Sequence, residues 1–263
     1  MAEEKIRLGG MALANGVLVH GPSAWACAVR LPDGELRVAS DVKRFRAADV
    51  GRPFLRGPAR LLEAFGLLPE LKRKLPEAKL PFQRPAVLGS MVASAAAVRA
   101  IKGSDNLSAG ARELLSGLAA LIPAGVALRG SELSSYHGAE HVSIGTYEHG
   151  EQRGKEHERC GSHLVGPLLA TNAIANILAS RAPLHLRGAA RALAGFGALA
   201  ASTEIFGWMV RNPDAAVSRA LAAPGHELQH RLATSTPTED QLEVAEAALR
   251  ECLRLEDARG DSH

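Results

Sequence analysis

The chain has 263 residues, 46% of them apolar and 22% charged. That suffices for the core of one large domain or two small ones and excludes a wholly disordered chain. Only 4% of the residues are aromatic, which argues against a base-stacking platform or an aromatic-rich β-sandwich. The 31 basic and 28 acidic side chains leave a formal charge of +3, too small a surplus to imply a nucleic-acid partner.

The start, Met1-Ala2-Glu3-Glu4-Lys5, lacks the basic-then-apolar order of a secretory signal. Next comes a small β element. Gly16–His20 is a short apolar run after Gly9-Gly10, and the runs Ala24–Arg30 and Glu35–Ala39 flank Pro32-Asp33-Gly34. Two such runs around a Pro-Asp-Gly turn predict a hairpin. The basic stretches Val42–Arg46 and Arg52–Arg56 read as a solvated connector, with an anionic-lipid patch as the alternative.

From Arg60 the pattern is helical: Leu61, Leu62, Phe65, Leu68 and Leu71 share a face. Prolines 69, 76, 81 and 85 are expected to cut this region into short pieces. Four long apolar stretches follow, Pro85–Ile101, Leu114–Leu128, Leu164–Ala179 and Ala192–Val210, rich in Ala and Gly. Their hydropathy admits both a soluble helical core and membrane helices of about 20 residues. Thr238–Leu255 reads as an amphipathic surface helix started near Thr236-Pro237-Thr238, and Glu256–His263 as a frayed polar tail. The expected fold is mainly α: about four long apolar helices with a small N-terminal β-hairpin element. The division is 1–58 for the β element and connector, 59–256 for the helical domain and 257–263 for the tail.

Histidine is the odd feature of the composition. There are ten, and five lie between His137 and His163. In His137-Gly138-Ala139-Glu140-His141 two imidazoles lie four apart on one helical face with a carboxylate beside them. That set suits a zinc-class ion and a proton acceptor for water. Downstream, His157 and Cys160 have the x₂ spacing of ligands that share a turn. The expected metal ligands are His137, His141, His157 and Cys160, with Glu140 or Glu148 as the base. If all four bind, the shell is closed and structural; if one is absent, a position is left for hydrolysis. His149 and His163 read as surface residues. The three cysteines, Cys27, Cys160 and Cys252, are odd in number and far apart, so no disulfide framework is expected and a reducing compartment is. A second pattern competes: His226-Glu227-Leu228-Gln229-His230 matches the H-E-x-x-H of zincin peptidases, with Glu239, Glu243 or Glu246 as a third ligand. Its polar surroundings argue against that reading.

These blocks together resemble the YqhQ-like proteins, uncharacterised bacterial proteins predicted to be metal-dependent enzymes with several membrane helices. Gly9-Gly10…Gly16-Val17…Gly21 resembles the family's opening. Tyr136–His141, Tyr147-Glu148 and His157-x-Arg159-Cys160-Gly161 resemble its central motif, and Pro224-Gly225, Leu228-Gln229 and Asp240–Ala245 its C-terminal one. Departures are Met11 and Asn15 for Gln and Glu, Val142 for Lys, Glu158 for Pro, Ser162 for Thr and Thr236 for an acid. Nor does the family have histidines at 226 and 230. The resemblance implies placement at the bacterial cytoplasmic membrane, lipid as a partner, and a divalent metal, zinc by its ligands. It names no substrate.

Overall fold

The computed structural model describes residues 5–129 and 131–260. The first four residues and the last three of the expected tail lie outside it.

The N-terminal part is larger than a hairpin. Strands β1 (Gly9–Leu13), β2 (Gly16–His20), β3 (Ala24–Arg30) and β4 (Leu36–Val42) form an antiparallel sheet in sequential order. The expected Pro-Asp-Gly turn joins β3 to β4, with Gly34 in the left-handed region at φ 88°. Strand β1 escapes a propensity argument because Gly9-Gly10-Met11 is a poor strand former. It forms because Asn15 fixes the β1–β2 turn. Its amide nitrogen donates to the carbonyls of Arg30 (3.4 Å) and Glu77 (3.2 Å), and its Oδ1 accepts from Lys79 N–H at 2.8 Å.

Both faces of the sheet are covered. Val17, Val19, Ala26 and Ala28 meet helices α5 (Glu132–His149) and α9 (Glu239–Gly260). Leu13, Leu18, Trp25, Cys27 and Val29 meet Leu67, Leu68 and Leu71 of α1 (Arg56–Lys74). A strand buried on both sides reads as an unbroken apolar run, which is why Ala24–Val29 shows no alternation. Pro69 does not break α1, contrary to expectation. It is exposed, and the carbonyl it leaves without a donor belongs to Phe65 on the solvent side of the helix.

The apolar stretches become α2 (Pro85–Lys102), α3 (Ala109–Ala120) with α4 (Ile122–Leu128), α6 (Val165–Ser180) and α7 (Arg187–Arg211). α6 packs on α7, α2 on α3 and α4, and α3 on α6. Four helical segments, Pro85–Gly103, Ala109–Leu128, Gly161–Ser180 and Leu184–Arg211, are long and apolar enough to cross a membrane, and at most 22% of any of their apolar windows is buried. Leu88, Val92, Leu118, Ile174, Leu193 and Phe196 face outward. Inside the bundle, contacts are small and polar: Ser94 Oγ donates to the Ala119 carbonyl (2.7 Å) and Thr171 Oγ1 to that of Ala198 (3.0 Å). Apolar side chains outside and hydroxyls within is the pattern of helices solvated by lipid.

The C-terminal helix α9 (Glu239–Gly260) is amphipathic as expected and turns its apolar face to the sheet. Val244, Ala245, Ala248 and Cys252 are buried against the sheet. Thr238 caps it through a reciprocal pair with Gln241: Gln241 N–H donates to Thr238 Oγ1 (3.3 Å) and Thr238 N–H to Gln241 Oε1 (3.0 Å). The expected fraying at Glu256 does not occur, and the helix runs on to Gly260. The Glu256 carboxylate accepts from Ser23 N–H (2.8 Å), Ala24 N–H (2.7 Å) and Ser23 Oγ (2.8 Å), which ties the last turns of the helix to the β2–β3 loop.

Candidate metal centre

Helix α5 carries the central motif and has neighbours on every side. Tyr136 and Ala139 face the sheet and α9. Gly138 lies against the Ser235 carbonyl, and Gly145 against Arg153. A helix buried all round has no polar stripe to betray it; here its polar residues face one another across the site instead of water.

His137, His141 and Cys160 come together, with one donor atom from each lying within 4.8 Å of the others. His137 Nε2 and Cys160 Sγ are 3.5 Å apart. That is about the separation of two donors placed roughly 2.0–2.3 Å from one tetrahedral ion. Both imidazoles are oriented from behind. His137 Nδ1 donates to the Ala233 carbonyl (2.8 Å) and His141 Nδ1 to that of Lys155 (2.7 Å). Each ring therefore keeps its Nε2 lone pair for the cluster, the arrangement typical of metal-bound histidine. Ser162 N–H donates to Cys160 Sγ (3.5 Å), which fixes the direction of the sulfur. The donor set fits a zinc-class ion.

His157 is placed differently. Its ring centre is 5.6 Å from that of His141. Its Nδ1 accepts from Arg159 N–H at 3.2 Å, which puts its proton on Nε2, and Nε2 faces Glu148 at 3.4 Å. Gln229, fully buried, fixes this loop: its side chain accepts from His157 N–H (2.8 Å) and donates to the His157 carbonyl (3.2 Å) and to Ser162 Oγ (2.8 Å). Glu148 also pairs with Arg159 and accepts from Leu8 N–H at 3.3 Å. Burial alone would raise its carboxyl, but His157, Arg159 and the Leu8 amide together hold it below the usual carboxylate range. It is a positioned anion, engaged on several sides.

Glu140 is the opposite case. It is buried, and burial raises its carboxyl above the ordinary value, against weaker pulls from His137 and His157. It sits against Gly10, where any side chain on the strand would collide with its carboxylate. The cluster opens on a cavity of about 420 Å³ lined by Leu8–Ala12, His20, Leu128, Leu133, Glu140, Ile144 and Arg159 among others.

No motif in the sequence singles out His20. It lies on the far side of β1, over Gly9, with Nδ1 3.0 Å from Lys43 Nζ. Lys43 in turn is paired with Glu63 at 3.0 Å. Burial, with the lysine beside it, pushes His20 down to about 3, so it is neutral. One signal was available: a polar residue ending an otherwise apolar strand. His163 departs from the surface reading and is buried, because Gly225 has no Cβ and lets α8 (Ala216–Leu228) lie across Ser162 and His163. His149 caps its own helix, with Nδ1 donating to the Gly145 carbonyl at 2.9 Å.

The H-E-x-x-H segment is not arranged as a zincin. His226 and His230 are exposed and share Glu156, at 3.8 and 2.7 Å. Glu227 pairs with Arg231. Two of the three expected third ligands are engaged elsewhere, Glu243 with Arg30 and Glu246 with Arg250.

No curated protein and no solved structure matches the chain. Residues 131–255, the stretch from the start of α5 into α9 that carries the whole His/His/Cys cluster, match the model of a family described as "Protein of unknown function (DUF1385)".

Proposed function

We propose that the protein is a metal-dependent hydrolase of the bacterial cytoplasmic membrane, in keeping with its YqhQ-like motifs. The observation that carries this reading is the convergence of His137, His141 and Cys160 at the wall of a cavity while His157 turns to Glu148. A closed structural knot needs His157 in the shell. Three ligands leave a fourth tetrahedral position for a reactant, as in catalytic zinc sites. A zinc-class ion held by His137, His141 and Cys160 would supply Lewis acidity and lower the pKa of water.

The chain's own residues do the rest. The Ala233 and Lys155 carbonyls lock the two imidazoles. Glu140, next to His141 and on the cavity wall, takes and returns the proton. Glu148 and Arg159 hold His157 and the Cys160 loop in register. Elemental analysis of the purified chain tests the reading. About one zinc per chain is expected in the wild type and almost none in a His137→Ala/His141→Ala variant. Equal metal content in the two overturns it.

A further inference from the structure

Strand β1 is an outer strand of the sheet, and Leu8 to Ala12 form a wall of the cavity. The pairing fixes which of its backbone groups face outward. Leu13 and Gly16 flank a two-residue turn and so exchange hydrogen bonds; by alternation Met11 does so with Leu18, and Gly9 with His20. The other side of β2 agrees. Gly21 N–H donates to the Ala24 carbonyl (3.0 Å) and Arg30 N–H to that of Asn15 (2.9 Å), so the odd-numbered residues there serve β3.

The amides of Leu8, Gly10, Ala12 and Ala14 therefore point away from the sheet. The two at the ends are used: Leu8 N–H donates to Glu148 (3.3 Å) and Ala14 N–H to the Lys79 carbonyl (2.9 Å). Gly10 and Ala12 have no hydrogen-bond partner on this edge among the described residues. Exposed edges are normally blunted by charge, proline or a covering element. This one is closed at both ends and bare for two residues, where it runs past Glu140 and the His/His/Cys cluster.

Gly10 and Ala12 each present an N–H and a C=O, and the two sets lie about 6.8 Å apart along the strand. Another polypeptide backbone in extended form repeats donor and acceptor at that same interval. Sugars, nucleotides and lipid headgroups do not. We infer that the substrate is an extended polypeptide segment that adds to the edge of β1 as a further strand, paired with Gly10 and Ala12. Leu128, Leu133 and Ile144 line the same cavity and receive its side chains. This rests on the hydrolase reading above and names its substrate class. The reaction is amide hydrolysis. The oxygen of water bonds to the carbonyl carbon, the C–N bond breaks, and the proton released goes to the leaving amine. The products are a carboxylate and an amino terminus, and no oxidant or second substrate is consumed.

The test uses the full chain in detergent micelles and a pool of capped, fluorescent nine-residue peptides randomised at the central positions. Binding is read by anisotropy on metal-free protein and cleavage by mass spectrometry on zinc-loaded protein. Bound peptide is expected to slow amide exchange at Gly10 and Ala12 at least tenfold. Ala12→Pro removes an outward N–H but no β1–β2 bond; it is expected to weaken peptide binding at least tenfold while zinc content stays at the wild-type level. N-methyl groups walked along a bound peptide are expected to weaken binding at every second position, a result that needs no protein variant. Tight binding without exchange protection, or N-methyl sensitivity without that period of two, overturns edge docking. Zinc-loaded protein that hydrolyses a small activated ester but binds no peptide overturns the inference and leaves the hydrolase reading standing. Wild type that takes up no zinc by elemental analysis and yet binds peptide in the expected pattern overturns the hydrolase reading alone.

Discussion

At the scale of single residues, burial sorts chemically identical groups into different work. Glu140 and Glu148 both line the neighbourhood of the cluster, yet one is left alone in a dry position and the other is surrounded by cations and an amide. Glu251 shows the same logic far from the site. Arg254, at 2.8 and 2.9 Å, and Ser40 Oγ, at 2.6 Å, hold its carboxyl down to about 2 from 4.5. A depressed carboxyl stabilises the fold fully above its unfolded value and loses that contribution as pH falls through the folded one. Between pH 4.5 and 2 the hold of β4 on α9 should therefore weaken. Glu251→Gln is expected to be less stable than wild type at pH 7 and to lose less stability over that acid window. Parallel acid titration curves followed by circular dichroism would contradict this.

At the scale of elements, the site depends on how closely backbones approach. A Cβ at Gly225 would meet the Ser162 carbonyl oxygen and His163 Cα, and these are backbone atoms that cannot swing aside. Gly225→Ala should displace either α8 or the loop that presents Cys160. A fall in zinc affinity of about 10- to 100-fold is expected, as for other losses of support behind a ligand. Competition with a chelator measures it, and unchanged affinity would show that the loop is held by Gln229 alone. Such contacts mark where the sequence stops being legible. The helical stretches, the hairpin turn and the pairing of His137 with His141 follow from periods of 3.6 and 2 and from turn chemistry. The turning of His157 to Glu148 does not, since Arg159, Leu8 and Gln229 decide it from three separate segments. Nor does β1, whose glycines argue against a strand until His20 over Gly9 and Glu140 against Gly10 show what fills the space a Cβ would take.

At the scale of the whole molecule, two solvents are implied. The sheet with α1, α5 and α9 has a conventional apolar core. The bundle of α2, α3, α4, α6 and α7 turns its leucines outward. Glu204, the acid within the α7 stretch, is met by Arg56 and by Phe54 N–H at 3.0 Å, so the two halves are pinned by an ion pair. The chain is expected to stay with membranes through a high-salt, alkaline wash and to need detergent for release. Recovery in the wash supernatant would reject lipid as the bundle's solvent. The three cysteines divide along these lines. Cys27 and Cys252 are sealed in the two cores, where burial raises both thiols, Cys252 to about 12. Cys160 alone stands partly open at the cavity. The native chain thus carries its own reporter: a thiol-directed label reads the state of the centre at one position, with no engineered cysteine and no background from the other two.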